Sequence, residues 1–296
     1  MISIGRTILV TGATGTVGSE VVKQLSSAGK KVRAAARSTT RASSNDKLKE
    51  VEFVEMDYNK PETLATAFKD ADKLFLNTPY QPDMVELTTN LVAEAAKSGT
   101  IEHIVKLSVI EAEAEPEITI SHLHRQAEKI IEESGIPFTF LRASGFMQNF
   151  VNVFGSSIKS KGAFYIPAGD GKFSLVDVRD IAAVGVKVLT DDQYDRHNGK
   201  AYSLTGPEAL SYGEAAEILS KEVGKKISYV NIPEEAARKG MKEVGMNDWF
   251  INSTIELYAI VRGGYGSNLS SDVEELTGSK PISFLQFTRD YANSFK

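Results

Sequence analysis

The chain has 296 residues, with 34 Lys and Arg against 39 Asp and Glu, a formal net charge of −5 at pH 7 and a hydrophobic fraction of 42%. Such a composition belongs to a soluble globular protein with one large α/β domain or two closely joined ones, and its mild acidity argues against nucleic acid as the main ligand. There is no cysteine, which removes disulfide scaffolds, cysteine nucleophiles and thiolate metal sites together.

Taken in chain order, the first half alternates short apolar runs with amphipathic stretches. Strands are predicted at 7–11, 31–36, 51–56, 73–77, 103–108 and 137–142. Helical spacing lies between them, as in Val17, Val21, Val22 and Leu25, then Leu64, Ala67 and Phe68, then Leu87, Leu91, Val92 and Ala95. Strands alternating with helices imply right-handed crossovers and a doubly wound parallel sheet, the Rossmann arrangement. After about residue 145 the rhythm changes. A Phe-rich helix is predicted over 146–154, short strands at 174–176 and 201–204, and helices over 179–189 and 212–223. A final helix starts at Ser271 or Asp272 and stops at Gly278. The domain expectation is a nucleotide-binding domain over 1–150 and a smaller, mostly helical substrate-binding part over 151–296. The two are interleaved, because residues 174–206 are expected to return to the main sheet.

The most informative segment is Thr7-Ile8-Leu9-Val10-Thr11-Gly12-Ala13-Thr14-Gly15-Thr16-Val17-Gly18. A hydrophobic strand enters a turn of three glycines and leaves directly into a helix. Gly12 permits the tight turn, Gly15 lets backbone approach a diphosphate, and Gly18 lets helix pack on strand. The unpaired N–H groups of the new helix, at Thr16 and Val17, then face an anion, with the Thr14 and Thr16 hydroxyls as added donors. The spacing is GxxGxxG, not GxGxxG, so the context (first strand, turn, helix, complete βαβ unit) carries the assignment.

The end of the second strand selects the cofactor. It reads Ala34-Ala35-Ala36-Arg37-Ser38, with Arg41 close behind and no acidic residue before Asn45. An acidic residue there would favour NAD; Arg37, aided by Ser38, is suited to a ribose 2′-phosphate and hence to NADP(H). Asp57, at the end of the third strand, either accepts from the adenine amino group or caps the helix entered at Pro61. Asn77 and Thr78, past the fourth strand, offer polar groups to the ribose side.

Together these residues resemble the atypical short-chain dehydrogenase/reductase superfamily, in its NmrA-like branch. The chain is most similar there to quinone reductases, triarylmethane dye reductases and azoreductases. The resemblance spans nearly the whole chain and is carried by TGATGTVG (11–18), ARS (36–38), FLRASGFMQNF (140–150), VDVRDIA (176–182) and SFLQFTRDYA (283–292). It implies a monomer or homodimer that binds NADPH along the carboxyl ends of the strands and reduces a small-molecule acceptor. The alternative it implies is a non-catalytic NADP(H) sensor acting through a protein partner.

Carbonyl reductases of the superfamily carry a Ser and a YxxxK pair. Here Ser108 ends the fifth strand, but the matching helix register holds His124 and Glu128, an HxxxE. Ordinary ketones need a tuned acid as hydride arrives; quinones, azo bonds and triarylmethyl cations need less help, and orientation supplies most of the acceleration. His124 is then either a proton donor oriented by Glu128 one turn away or half of an exposed pair. Ser108 is either a catalytic hydroxyl or an ordinary polar strand end. Gly145 is expected to give close backbone approach to the nicotinamide. Phe146, Met147 and Phe150, at helical spacing, form either an aromatic pocket wall or core. For Asp177 and Asp180 the resemblance, through VDVRDIA before a helix, implies capping and domain packing. The stretch 247–266 is left open between closing the pocket and forming an interface.

The four histidines, at 103, 122, 124 and 197, have no paired metal-ligand spacing, and no metal is expected. No apolar run approaches the roughly 20 residues of a membrane helix, and residues 1–5 are too short for a leader. A cytoplasmic protein with neither membrane nor nucleic-acid partner is expected.

Overall fold

The structure, a computed structural model, describes residues 6–38, 51–58, 60–114 and 117–296. Eleven strands are described: β1 Thr7–Val10, β2 Lys31–Ala36, β3 Val51–Glu55, β4 Lys73–Leu76, β5 His103–Val109, β6 Phe138–Ala143, β7 Ala163–Ile166, β8 Lys172–Phe173, β9 Lys200–Leu204, β10 Leu210–Ser211 and β11 Ser228–Asn231. Seven of them form one sheet in the order β3-β2-β1-β4-β5-β6-β9. β1 pairs in parallel with β2 (Leu9↔Arg33) and with β4 (Leu9↔Leu74), so the strand order reverses between β1 and β4. In a doubly wound sheet that switch point opens a crevice at the carboxyl ends of the strands.

The chain divides into two compact units. The first comprises Met1–Glu113, Ser121–Arg142 and Ile181–Tyr202, and the second Ala114–Ile120, Ala143–Asp180 and Ser203–Lys296. In the first unit, β1 and β4 are buried along their whole length, as expected of strands covered on both faces. The helix Thr16–Ser27 buries Val17, Gly18, Val21, Val22 and Leu25, the predicted stripe. Leu9, Phe68, Leu74, Leu91, Ile104 and Phe140 meet in the core around the sheet.

The second unit has its own core, in which Met147, Phe150, Phe154, Phe164, Tyr212 and Phe284 cluster. Its strands form two small sheets, β7 with β11 in parallel and β8 with β10 antiparallel. The helix Tyr212–Val223 starts on a reciprocal cap. Ser211 Oγ accepts from the Glu214 N–H at 3.1 Å, and the Ser211 N–H donates to Glu214 Oε2 at 2.7 Å. Asp272–Thr277 starts after Ser271 and ends at Gly278, whose φ of 73° is the left-handed conformation of a helix stop.

Two expectations are corrected. The Phe-rich stretch expected as one helix over 146–154 holds only the short helix Asn149–Asn152, and a second helix, Gly155–Lys161, begins just beyond it. The predicted strand at 174–176 does not join the main sheet. The Ser174 N–H donates to Gly266 O at 2.9 Å and the Val176 N–H to Gly145 O at 2.9 Å, so its backbone is used within the second unit. Of the 174–206 stretch, only β9 extends the seven-stranded sheet. No helix among the described residues is long and apolar enough to cross a membrane.

Candidate functional site

The glycine turn leaves β1 at the switch point. Thr11 Oγ1 donates to Asn77 O at 3.0 Å and accepts from the Asn77 N–H at 2.8 Å, tying the end of β1 to the end of β4. Gly12 takes φ +60°, and a Cβ there would lie 3.0 Å from both Asn77 Nδ2 and Asn77 O. A Cβ on Gly18 would stand 2.2 Å from Gly12 O. Gly15 is the helix N-cap, in extended conformation, and its N–H closes the turn on Gly12 O at 2.9 Å. The first N–H groups of the helix Thr16–Ser27 therefore point away from its own carbonyls, as at any helix start.

Around this turn lies a pocket of about 410 Å³. Of the residues singled out from the sequence, Gly12, Thr14, Gly15, Arg37, Asp57, Asn77 and Thr78 line it. Thr16, Val17 and Ser38 flank it without lining it; the Val17 side chain is buried in the core, which leaves only its backbone for any ligand. Arg41 lies outside the described residues. Arg37 is exposed at the end of β2. Burial pushes the Tyr58 phenol up to about 12, against the opposing effects of Thr11 and the Arg37 charge, so it lines the pocket as a neutral ring. Gln81, Asp83 and Leu87 also line it and were missed. The reversal of strand order brings the segment after β4 to the pocket, and that reversal was the signal available for finding them.

Thr78 Oγ1 is buried with no hydrogen-bond partner. A buried hydroxyl left without a partner in the lining of a polar pocket is costly unless a ligand or water satisfies it. The glycine cradle, the exposed helix start, the guanidinium and this hydroxyl fit a dinucleotide carrying a 2′-phosphate.

The expected catalytic pair is arranged differently from the HxxxE reading. Ser108 is buried and its Oγ donates to Glu128 Oε1 at 2.7 Å. Glu128 is fully buried and also accepts from Arg142 Nε at 3.0 Å and Arg142 Nη2 at 2.7 Å. It is occupied by β6 and does not orient His124. His124 is half-buried and instead has its Nδ1 3.4 Å from Nζ of Lys106, a fully buried lysine on β5. Burial first, then the lysine charge, hold the His124 pKa well below its ordinary 6.5. An imidazolium acid at neutral pH is therefore disfavoured. Sequence reasoning passed over Lys106, and one signal was present: a lysine inside an apolar strand run, His103-Ile104-Val105-Lys106-Leu107.

In the second unit, Phe150 is 1% exposed and its ring meets those of Phe154, Phe164, Tyr212 and Phe284 at 4.8 to 6.0 Å. Met147 is equally buried in that cluster. Both are core, and neither has a face left for a substrate; Phe146 alone of the three remains half-exposed. Gly145 does not line the pocket, and a Cβ there would lie 2.5 Å from the Phe173 ring. Asp177 is buried and caps its own helix: its Oδ1 accepts from the Arg179 N–H at 2.9 Å and from Gln148 Nε2 at 2.9 Å. Asp180 accepts from the Ile282 N–H at 2.8 Å.

A doubly wound sheet with a glycine-turned pocket at its switch point defines a Rossmann-type dinucleotide-binding protein. The chain belongs to the NmrA-like family, whose family model matches residues 5–277. It is 36% identical over 288 residues to the NAD(P)H azoreductase of Xenophilus azovorans, a match covering 97% of this chain and 99% of that one. It is 33% identical over 294 residues to the (4-alkanoyl-5-oxo-2,5-dihydrofuran-3-yl)methyl phosphate reductase of Streptomyces griseus, again covering 97% and 99%. Among solved structures, the Citrobacter sp. triphenylmethane reductase complexed with NADP(H) matches with a TM-score of 0.82 at 30% identity, over 97% of this chain and 99% of that one.

Proposed function

We propose that this protein reduces a flat, electrophilic small molecule of quinone, azo or triarylmethane type at the expense of NADPH, without a tyrosine–lysine acid pair. It is an NAD(P)H-dependent oxidoreductase, in keeping with relatives that are named as reductases across its full length. The observation that carries the reading is the pocket itself. Arg37 stands at its β2 edge, the glycine turn forms its floor, and the unpartnered Thr78 hydroxyl is buried in its lining.

Bound NADPH supplies the hydride. The chain's own contributions are binding, orientation and hydrogen bonding. The Gly12–Gly15 backbone and the start of the following helix hold the diphosphate. Arg37 grips the 2′-phosphate, Asp57 meets the adenine edge, and Asn77 and Thr78 meet the ribose. His124, kept uncharged, offers at most a neutral N–H. That suits acceptors reactive enough to need orientation more than protonation, and it disfavours simple ketones.

Replacing Arg37 tests the cofactor half of this reading. Arg37→Ala removes a charge-assisted phosphate contact, so the Kd for NADPH is expected to rise about 10- to 100-fold, on the order of 1.5–3 kcal/mol, while that for NADH changes by less than about twofold. Titration calorimetry with both nucleotides measures this. Equal losses for the two would remove the 2′-phosphate role.

A further inference from the structure

We infer that Lys106 is a positioning residue: its ammonium, buried against His124, holds the imidazole as the uncharged tautomer protonated on Nε2, so that the ring presents an N–H to an acceptor's oxygen or nitrogen. The acceptor part rests on the reductase reading above; the tautomer does not.

The strand and helix periods build this contact. Lys106 and Ser108 are two apart on β5 and share a face. His124 and Glu128 are four apart on the helix Thr119–Glu133 and share one too. Two rungs result, Ser108 to Glu128 at 2.7 Å and Lys106 to His124 at 3.4 Å. Lys106 is 0% exposed, and its Nζ also donates to Leu107 O at 2.8 Å.

A charged lysine has three protons to donate and no lone pair. The Nδ1 that faces it must therefore present its own lone pair, which puts the ring proton on Nε2. Among the described residues the ring's hydrogen bond is at Nδ1, and Nε2 is not one of the fully buried polar atoms left without a partner, so that N–H is left for a ligand.

The carboxylate that acts on the ammonium, Glu128, is itself held by Arg142 of β6 and by Arg125 of its own helix. Glu113 pairs with the same two arginines, and Glu132 with Arg125. Burial lowers the Lys106 pKa to about 8, with Glu128 opposing, so the lysine is still mostly charged at neutral pH. A second cation on the adjacent ring is disfavoured by that charge and by burial.

The consequence differs between acceptors. A quinone that takes hydride develops negative charge on oxygen, which an N–H donor stabilises. A triarylmethyl cation takes hydride on carbon and develops no anion. Lys106 therefore matters for the first and not for the second.

The test is ¹⁵N NMR of the full-length, ¹⁵N-histidine-labelled protein, without nucleotide and with NADP⁺, the His124 signals being assigned by their loss in His124→Gln. The expected result at pH 7 is a single uncharged tautomer with the proton on Nε2, still uncharged at pH 5.5. Raising the pH of the unaltered protein through about 8, where Lys106 loses its proton, should convert this to a tautomer mixture. Lys106→Met should show the mixture already at pH 7. Its turnover should fall by about tenfold or more with a quinone and by less than about twofold with a triarylmethane dye.

An Nδ1-protonated or cationic ring at pH 7 in the unaltered protein would overturn the inference. So would a His124 spectrum unaffected by both Lys106→Met and the rise in pH. Loss of turnover in Lys106→Met that is equal for both acceptors would overturn its acceptor part. Absence of turnover with every acceptor in the unaltered protein would instead count against the reductase reading, and the NMR result would decide the tautomer by itself.

Discussion

Gly18→Ala should destabilise the protein by about 1–3 kcal/mol and weaken NADPH binding at least about tenfold. Gly240→Ala, chemically the same change, should stabilise it by about 0.5–1 kcal/mol. Both glycines sit inside helices, Thr16–Ser27 and Glu234–Glu243, where alanine is ordinarily the better residue. The sign is set by what the added methyl meets. At Gly240 it meets nothing within 4 Å. At Gly18 it meets Gly12 O at 2.2 Å, Gly12 C at 2.7 Å and Ala13 Cα at 3.1 Å, all of them backbone and none able to rotate away. The helix start must then move off the turn, and the turn is the floor of the pocket. Thermal unfolding with and without NADPH reads both effects. A Gly18→Ala protein as stable as the parent, with an unchanged nucleotide shift, would show that the helix–turn contact is not needed.

Glu128→Ala should cost about 3 kcal/mol, because it leaves the half-buried Arg142 guanidinium with only the more exposed Glu113 as a partner. Glu128 is fully buried, accepts twice from Arg142 and once from Ser108, and pairs with Arg125 at 3.4 Å. The loss reflects the poorly paired Arg142 left behind more than the value of the pair itself. Replacing both partners, Glu128→Met with Arg142→Met, is therefore expected to recover most of it. Denaturant unfolding of Glu128→Met, Arg142→Met and the double variant closes the cycle. A double variant no more stable than Glu128→Ala would mean that the carboxylate stabilises the fold through Ser108 and Arg125 and not through Arg142.

The comparison of these two sites shows what was legible in the sequence. The roles of Gly12 and Gly18 were readable because they are local: a strand, a turn and a helix lie within a dozen consecutive residues, and the geometry follows from their order. The helix Tyr212–Val223 was readable for the same reason, since Ser211 and Glu214 cap it within one turn. Arg37 at the pocket edge followed from the length of one βαβ unit.

Partner choice at long range was not legible. Spacing placed His124 and Glu128 on one helix face, but Glu128 turns to Arg142 on β6 and His124 to Lys106 on β5, choices made by the packed sheet. The aromatic stripe Phe146, Met147 and Phe150 had the right period for either a pocket wall or a core, and periodicity does not distinguish them. Burial decides that two are core. The strand expected at 174–176 failed because Gly266 and Gly145, far off in sequence, take its backbone groups.

The central claim is that hydride passes from NADPH to an electrophilic acceptor on this protein, and one isotope measurement tests it most directly. A triarylmethyl cation dye is incubated with the protein and NADPH deuterated at nicotinamide C4, each face in turn. The account predicts that the dye bleaches and that, with one face, its leuco product gains a single deuterium at the central carbon, where the C–D bond does not exchange with water. Stabilisation of the fold by NADPH, with dye and nucleotide both left unchanged, would contradict it and identify a protein that binds the nucleotide without using its hydride.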